Sequence, residues 1–265
     1  MLKLIKGLIL LIKKPFLINL VIDNEFVYKD KVLKEFPELK SGFPMLDFLT
    51  LFPNFKATVF PFSFLEGGSM VTDLALLKGF VKKQENCTYF EIGTWRGESV
   101  TNVAENAQQC YTLNLPDAEL KKLGCNEEYI GQQAFYSKNI KNIEHLKGNS
   151  FNFDFSPYYN KCDVVFVDGN HSYESVLNDT KIAFKLLKDE KSIVVWHDYA
   201  SMPTEIRWDV LKGIYDGTPE SAKNKLYAVS NTLCAVYTNE NLATIDSSKI
   251  TPTKKFEVQV EAKSL

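Results

Sequence analysis

Four residues able to move a proton or hold a cation fall in two short runs. Asp168 and His171 lie in D-V-V-F-V-D-G-N-H-S-Y-E, and His197 and Asp198 in S-I-V-V-W-H-D-Y. Histidine titrates near neutral pH, so either imidazole could take a proton from a hydroxyl, whereas carboxylate oxygens suit hard divalent cations. The third of the three histidines, His145, precedes a strand candidate and reads as structural. His171 is the preferred base and His197 the second. Both have a plain alternative role, holding a loop by hydrogen bonds. Asp168 and Asp198 are the rival activators through a bound Mg2+, although His197 beside them suits that oxygen-seeking ion poorly.

A second cluster is T-Y-F-E-I-G-T-W-R-G-E-S, from Thr88 to Ser99. Its first half has strand-forming side chains, Gly93 and Gly97 mark a sharp turn, and a helix is expected from Glu98 through Asn106. Strand, glycine turn and helix start make a nucleotide-binding edge, because free amide groups face the carboxyl end of the sheet. Glu98 and Ser99 follow Gly97 where a triphosphate loop needs Lys-Ser or Lys-Thr, which excludes that loop. A dinucleotide fingerprint wants G-x-G-x-x-G, but Trp95 holds the middle position and Glu91 puts a carboxylate where pyrophosphate would lie. A ligand with an ammonium and a sulfonium matches better, which points to S-adenosylmethionine rather than NAD.

E-I-G-T-W-R-G-E-S resembles motif I of the class I S-adenosylmethionine-dependent methyltransferases, and D-G-x-H-S-Y-E followed by H-D-Y is similar to one of their subfamilies. The resemblance spans roughly Gly68 to Thr238. It implies a Rossmann-like α/β fold: a mostly parallel central sheet with a C-terminal antiparallel hairpin and helices on both faces. It also implies cofactor contacts from Glu91, Gly93, Thr94, Trp95, Gly97 and Ser99 in motif I, and from Asp168 and Gly169 after the fourth strand. Relatives end the second strand with an acid that binds the ribose hydroxyls. Here Asn114 stands in that place, a neutral partner making weaker bonds, with Asp117 nearby to share the task. In the family the residue at the place of Asn149 in G-N-S contacts the adenine, with Ser150 beside it; the plain alternative is a turn. Some relatives bind magnesium through positions that Asp168 and Asp198 match. O-methylation of a hydroxylated small molecule, sugar or glycan precursor is the expected activity. A noncatalytic binding or scaffold protein and, further off, an NAD-dependent oxidoreductase are the competing readings.

These residues need elements to position them. Strands are expected at about Cys110 to Leu115, Ile143 to Leu146, Asp163 to Val167 and Ser192 to Trp196, with helices at Thr72 to Lys83, Tyr173 to Lys188 and Glu205 to Tyr215. Lys225 to Ser230 and Leu233 to Thr238 read as an antiparallel pair. The polar stretch Asp117 to Asn142 is longer than a plain crossover needs. Phe52, Phe55, Phe60, Phe62 and Phe64 read as a satellite core beneath a loop or as one wall of an acceptor pocket. Phe256, Val258 and Val260 alternate as an edge strand would, within an otherwise mobile tail.

The 265 residues, 45% of them hydrophobic, suffice for one α/β domain with elaborations. The expected division is 1–67 as a basic amphipathic helix and aromatic-rich extension, 68–238 as the methyltransferase-like domain, and 239–265 as a polar tail. With 31 basic against 33 acidic residues the net charge is −2, which gives no global attraction to nucleic acid. Five cysteines without a C-x-x-C pair read as reduced thiols of a cytoplasmic protein. In residues 1–22, Lys3, Lys6, Lys13 and Lys14 fall within roughly a 100° helical arc and most leucines and isoleucines lie elsewhere. The lysines and Pro15 disfavour a spanning helix. That segment is expected either to pack on the domain or a second subunit, or to lie peripherally on the inner membrane surface.

Overall fold

The computed structural model describes residues 2–18, 25–247 and 252–264. Residues 1 and 19–22 of the expected N-terminal helix, and 248–251 and 265 of the tail, lie outside them. In chain order the helices are α1 (Leu2–Lys13), α2 (Glu25–Glu35), α3 (Phe48–Leu51), α4 (Val71–Lys83), α5 (Glu98–Ala104), α6 (Asp117–Lys122), α7 (Glu127–Gly131), α8 (Tyr173–Leu186) and α9 (Trp208–Gly217). The strands are β1 (Met45–Leu46), β2 (Thr88–Ile92), β3 (Gln109–Asn114), β4 (Ile143–Lys147), β5 (Val164–Val167) and β6 (Ile193–Trp196). They continue with β7 (Ala200–Met202), β8 (Glu205–Ile206), β9 (Leu226–Val229), β10 (Ala235–Tyr237) and β11 (Thr244–Ile245).

Nine strands form one sheet in the order β11-β1-β9-β10-β6-β5-β2-β3-β4. From β6 to β4 all pairs are parallel, while β10 runs antiparallel to both β6 and β9. The strand V-V-F-V of β5 is buried along its whole length, as a central parallel strand covered on both faces must be. Alternation divides the core. Phe90, Ile92, Val165, Val167 and Trp196 pack toward α8 and α9, and Tyr89, Val164, Phe166 and Val195 toward α4 and α5. This is the Rossmann-like fold the motifs implied, with helices on both faces and a C-terminal antiparallel hairpin.

Three expectations need correction. The helix expected from Glu205 begins only at Trp208, because Ala200–Met202 and Glu205–Ile206 pair as a small antiparallel hairpin. The 1–67 segment does not stand apart from the sheet: β1 pairs with β9 and β11, and Leu46 and Phe48 are buried in the core. No strand forms through Phe256, Val258 and Val260; Phe256 lies edge-on to Phe48, and Lys254 pairs with Asp47 at 2.7 Å. The cysteines are free, as their spacing implied, and all but Cys125 are buried.

The aromatic segment divides in two. Phe48, Phe52, Phe55 and Phe80 form an aromatic cluster, whereas Phe60 and Phe64 are exposed. Residues 60–66 are stitched across the first turn of α5. Asn102 accepts from the Phe60 amide (2.8 Å) and donates to the Pro61 carbonyl (2.9 Å), Glu98 accepts from the Ser63 amide (2.6 Å), and Arg96 donates to the Glu66 carbonyl (3.0 Å). Asn102 is buried. Asn102→Ala should therefore destabilise the protein by about 1–3 kcal/mol, since it strands a buried amide. Denaturant unfolding should show that loss, with faster proteolytic cleavage in 60–66.

Candidate active site

The carboxyl ends of β2, β5 and β6 meet at one edge. After β2 the chain turns through Gly93 (φ +105°), Trp95 (φ +42°) and Gly97 (φ +79°) before α5 starts. A Cβ on Gly93 would stand 2.0 Å from the Asp168 carbonyl oxygen, and one on Gly97 would stand 2.2 Å from Ser137 Oγ. The first glycine therefore lets the turn pass against the end of β5, and the second lets residues 134–137 close over it. Space for the neighbouring backbone alone requires Gly93.

Glu91 sits beneath this turn with no exposed surface. Its carboxyl accepts from Tyr89 Oη and Thr112 Oγ1, both at 2.9 Å, and burial pushes its pKa up to about 8 despite these bonds and one from Ser99. Thr94 bonds Thr112 side chain to side chain at 2.6 Å. Trp95 lies against Tyr129 with centroids 4.2 Å apart, its buried Nε1 without a protein partner. The unexpectedly long stretch after β3 explains itself here. Ala134 and Tyr136 donate backbone bonds to the Trp95 and Arg96 carbonyls (2.7 and 2.9 Å), and Asn114 donates to the Gln133 side chain. Asp117, the expected helper at the ribose, is exposed and paired with Lys147 at 3.1 Å.

Asn149 accepts from the Phe151 amide at 3.1 Å, so it shapes the turn after β4. Ser150 bonds Asp179, a buried residue of α8 whose carboxyl also lies 3.5 Å from where a Cβ on Gly169 would be. Asp179 is thus bonded to the 148–150 turn and lies close to Gly169.

Asp168, Gly169, His171, His197 and Asp198 line one shallow depression. His197 is its buried centre. Nε2 faces Asp73 Oδ2 at 3.1 Å, and Nδ1 faces Asp168 Oδ1 at 3.1 Å and Asp198 Oδ2 at 3.3 Å, without directed hydrogen-bond geometry for Nδ1. Burial works against its charged form but is outweighed by these carboxylates, so its pKa is raised well above the usual value. Burial raises Asp168, with His197 pulling it partly back. Asp198 is lowered because His197 and Arg207 outweigh its burial. His171 is exposed and receives a hydrogen bond on Nδ1 from Arg207 (2.9 Å). Arg207 also reaches Asp198 at 3.5 Å. A guanidinium cannot accept, so His171 Nδ1 spends its lone pair there.

Asp73, Arg207 and Gln133 are the functional neighbours that sequence reasoning missed. Asp73 carries one available signal, an acid at the third position of a helix, where it accepts from the Met70 amide at 2.7 Å.

Asp179 gives a pH test. Burial raises its pKa to about 6, so the folded state holds this proton more tightly than the unfolded one. The resulting stability is full below the ordinary aspartate value and is lost as pH rises through about 6. Asp179→Asn should be more favourable, relative to the native protein, at neutral pH than at about pH 4, by at most about 3 kcal/mol. Thermal melts at the two pH values measure the difference. Equal effects at both would show that the carboxyl is not held protonated.

Residues 90–199 match a family model described as a methyltransferase domain. The chain is 26% identical over 131 residues to uncharacterized protein R132 of Acanthamoeba polyphaga mimivirus, covering 48% of this chain and 56% of that one. It therefore spans about half the length of that curated relative. Among solved structures it is similar to the O-methyltransferase from Bacillus cereus in complex with SAH, with 13% identity, TM-score 0.45, and 80% of this chain and 90% of that one covered. It is also similar to the SAH-bound Podospora anserina methyltransferase PaMTH1, with 13% identity, TM-score 0.46, and 83% and 88% covered. The stretch carrying both the glycine turn and the His197 cluster, residues 90–199, is thus similar to a methyltransferase domain, and the sheet around it is Rossmann-like.

Proposed function

We propose that the chain transfers a methyl group from S-adenosylmethionine to a hydroxyl of a small molecule, sugar or glycan precursor. One observation carries the reading: three carboxylates, Asp73, Asp168 and Asp198, surround a single buried histidine at the edge where the glycine turn abuts Asp168. Such an edge favours a cationic ligand and repels a pyrophosphate, which argues against NAD. When bound, S-adenosylmethionine supplies a methyl group on a positively charged sulfur. Gly93, Thr94, Trp95 and Gly97 would hold its amino-acid part; Glu91, expected from the sequence to touch the ligand, is fully buried and bonded by Tyr89, Thr112 and Ser99, so it supports the turn from beneath. Asn114 with Gln133 would meet the ribose, and Asn149 and Ser150 the adenine, with Asp168 and Gly169 as the floor.

The acceptor must lose a proton as its oxygen gains the methyl group. His171 is a poorer candidate than its sequence position suggests, because its Nδ1 lone pair is occupied by Arg207. His197 is held charged by its carboxylates. We assign the proton to Asp168, whose raised pKa makes it a stronger base than Asp198, with His197 and Asp73 as positioning residues.

A second reading rests on His197 Nδ1, buried and without a directed partner. This atom and oxygens of Asp168 and Asp198 lie within 4.8 Å of one another, so the three residues would fit a divalent cation, with Asp73 behind Nε2. A donor set of one imidazole and two carboxylates suits Mn2+ better than the Mg2+ suggested by the resemblance. Such an ion would polarise the acceptor hydroxyl.

Calorimetry with S-adenosylmethionine and NAD, followed by methyl-transfer assays against hydroxylated acceptors, tests the activity. Binding of the sulfonium compound without transfer to any acceptor would favour the noncatalytic reading. Asp168→Asn should lower turnover about a hundredfold to ten-thousandfold, and His171→Ala far less. The reverse order would return the role of base to His171. Under the ion reading, chelation removes turnover and Mn2+ restores it, and Mn2+ binding is lost in His197→Ala.

A further inference from the structure

We propose that α1, with the lysine that follows it, is a docking surface for the anionic face of a lipid bilayer. None of its 12 residues is buried. Leu2, Leu4 and Ile12 are 74%, 70% and 81% exposed, and Ile5, Leu8 and Ile9 are about half exposed. A contiguous apolar face of this kind marks a place where something else covers the chain. At the helical angle per residue these six side chains spread over an arc of about 160°, while Lys3, Lys6, Lys13 and Lys14 occupy roughly 100° on the other side, with the half-exposed Leu10 among them. Lys14 keeps its helical place because its amide still bonds the Leu10 carbonyl at 2.8 Å. Among the described residues 2–18 there is no acid to neutralise these charges.

The same facts decide between occupants. Among the described residues the body of this chain does not cover the helix, since none of its side chains is buried. Among the described residues no helix is long and apolar enough to cross a membrane, and α1 as described is about 18 Å long against a hydrocarbon core of about 30 Å. A second copy would gain little. A face about 18 Å by 10 Å offers a few hundred Å2 at most, against the roughly 800 Å2 per partner of a stable interface. Its apolar arc is also wider than the narrow seam of a paired helix. A bilayer surface uses both halves of the pattern: the apolar arc sinks to the acyl boundary and the flanking lysines meet acidic headgroups.

The test is co-sedimentation of the full chain with vesicles of phosphatidylcholine alone and of phosphatidylcholine mixed with phosphatidylglycerol. The chain should partition several-fold more strongly to the mixed vesicles, and added salt should weaken that binding. Lys3→Ser and Lys6→Ser should each reduce it by roughly fivefold. Leu8→Asp combined with Ile12→Asp should abolish it, with the melting temperature unchanged because neither side chain is buried. Failure to pellet with the mixed vesicles would overturn the proposal, as would pelleting with both kinds of vesicle that ignores the lysine substitutions. A dimer in sedimentation equilibrium that the aspartate pair dissolves, without vesicle binding, would make a second copy the occupant instead.

Discussion

The site depends on one buried titratable group, the His197 imidazole held between Asp73, Asp168 and Asp198. An isolated buried ion would cost several kcal/mol, so this arrangement persists only because each partner is itself fixed. Asp73 is fixed most firmly: one oxygen accepts from the Met70 amide as well as from His197, and the other accepts from the Leu233 amide at 2.8 Å. Through these bonds the first turn of α4, the end of β6 and the β9–β10 turn share one electrostatic knot. Moving any of them shifts the charges that a ligand at the edge would meet.

That knot is tied to the glycine turn by the backbone. Gly93 lies against the Asp168 carbonyl with no room for a side chain, and the Asp168 amide donates to the Ile92 carbonyl at 2.9 Å. The end of β5 therefore cannot move without moving the turn after β2. Under the proposed function this register would hold donor-side and acceptor-side residues in fixed relation, which is what aligning two reactants requires.

The strands and the order of the motifs were legible because their signals are local. A buried run such as V-V-F-V and a glycine pair in E-I-G-T-W-R-G declare themselves within a few residues. Asp73 was not legible. It lies 124 residues from His197 in sequence, and its helix position alone fits an ordinary capping acid. Arg207 was hidden for another reason: Glu205 and Ile206 read as the start of a helix, but Ala200–Met202 offers them a strand partner and delays that helix. The two-residue strands β1 and β11 are too short for any alternation to show, so the sheet's extension past β9 had no signature.

The covering segment 127–137 changes what the Asn114 substitution means. A carboxylate in that place would accept two strong bonds from a diol, and a lone amide would be a weaker substitute. Here the Asn114 amide donates to Gln133, which in turn donates to the Tyr129 carbonyl at 3.3 Å, while Tyr129 packs on Trp95. The amide group of Asn114 is therefore held in one orientation, with its side-chain oxygen left to accept from a hydroxyl. Under the proposed function, recognition of the ribose is divided between two neutral amides and the segment that carries one of them. Under that function the loop would supply the orientation that charge supplies in an acid.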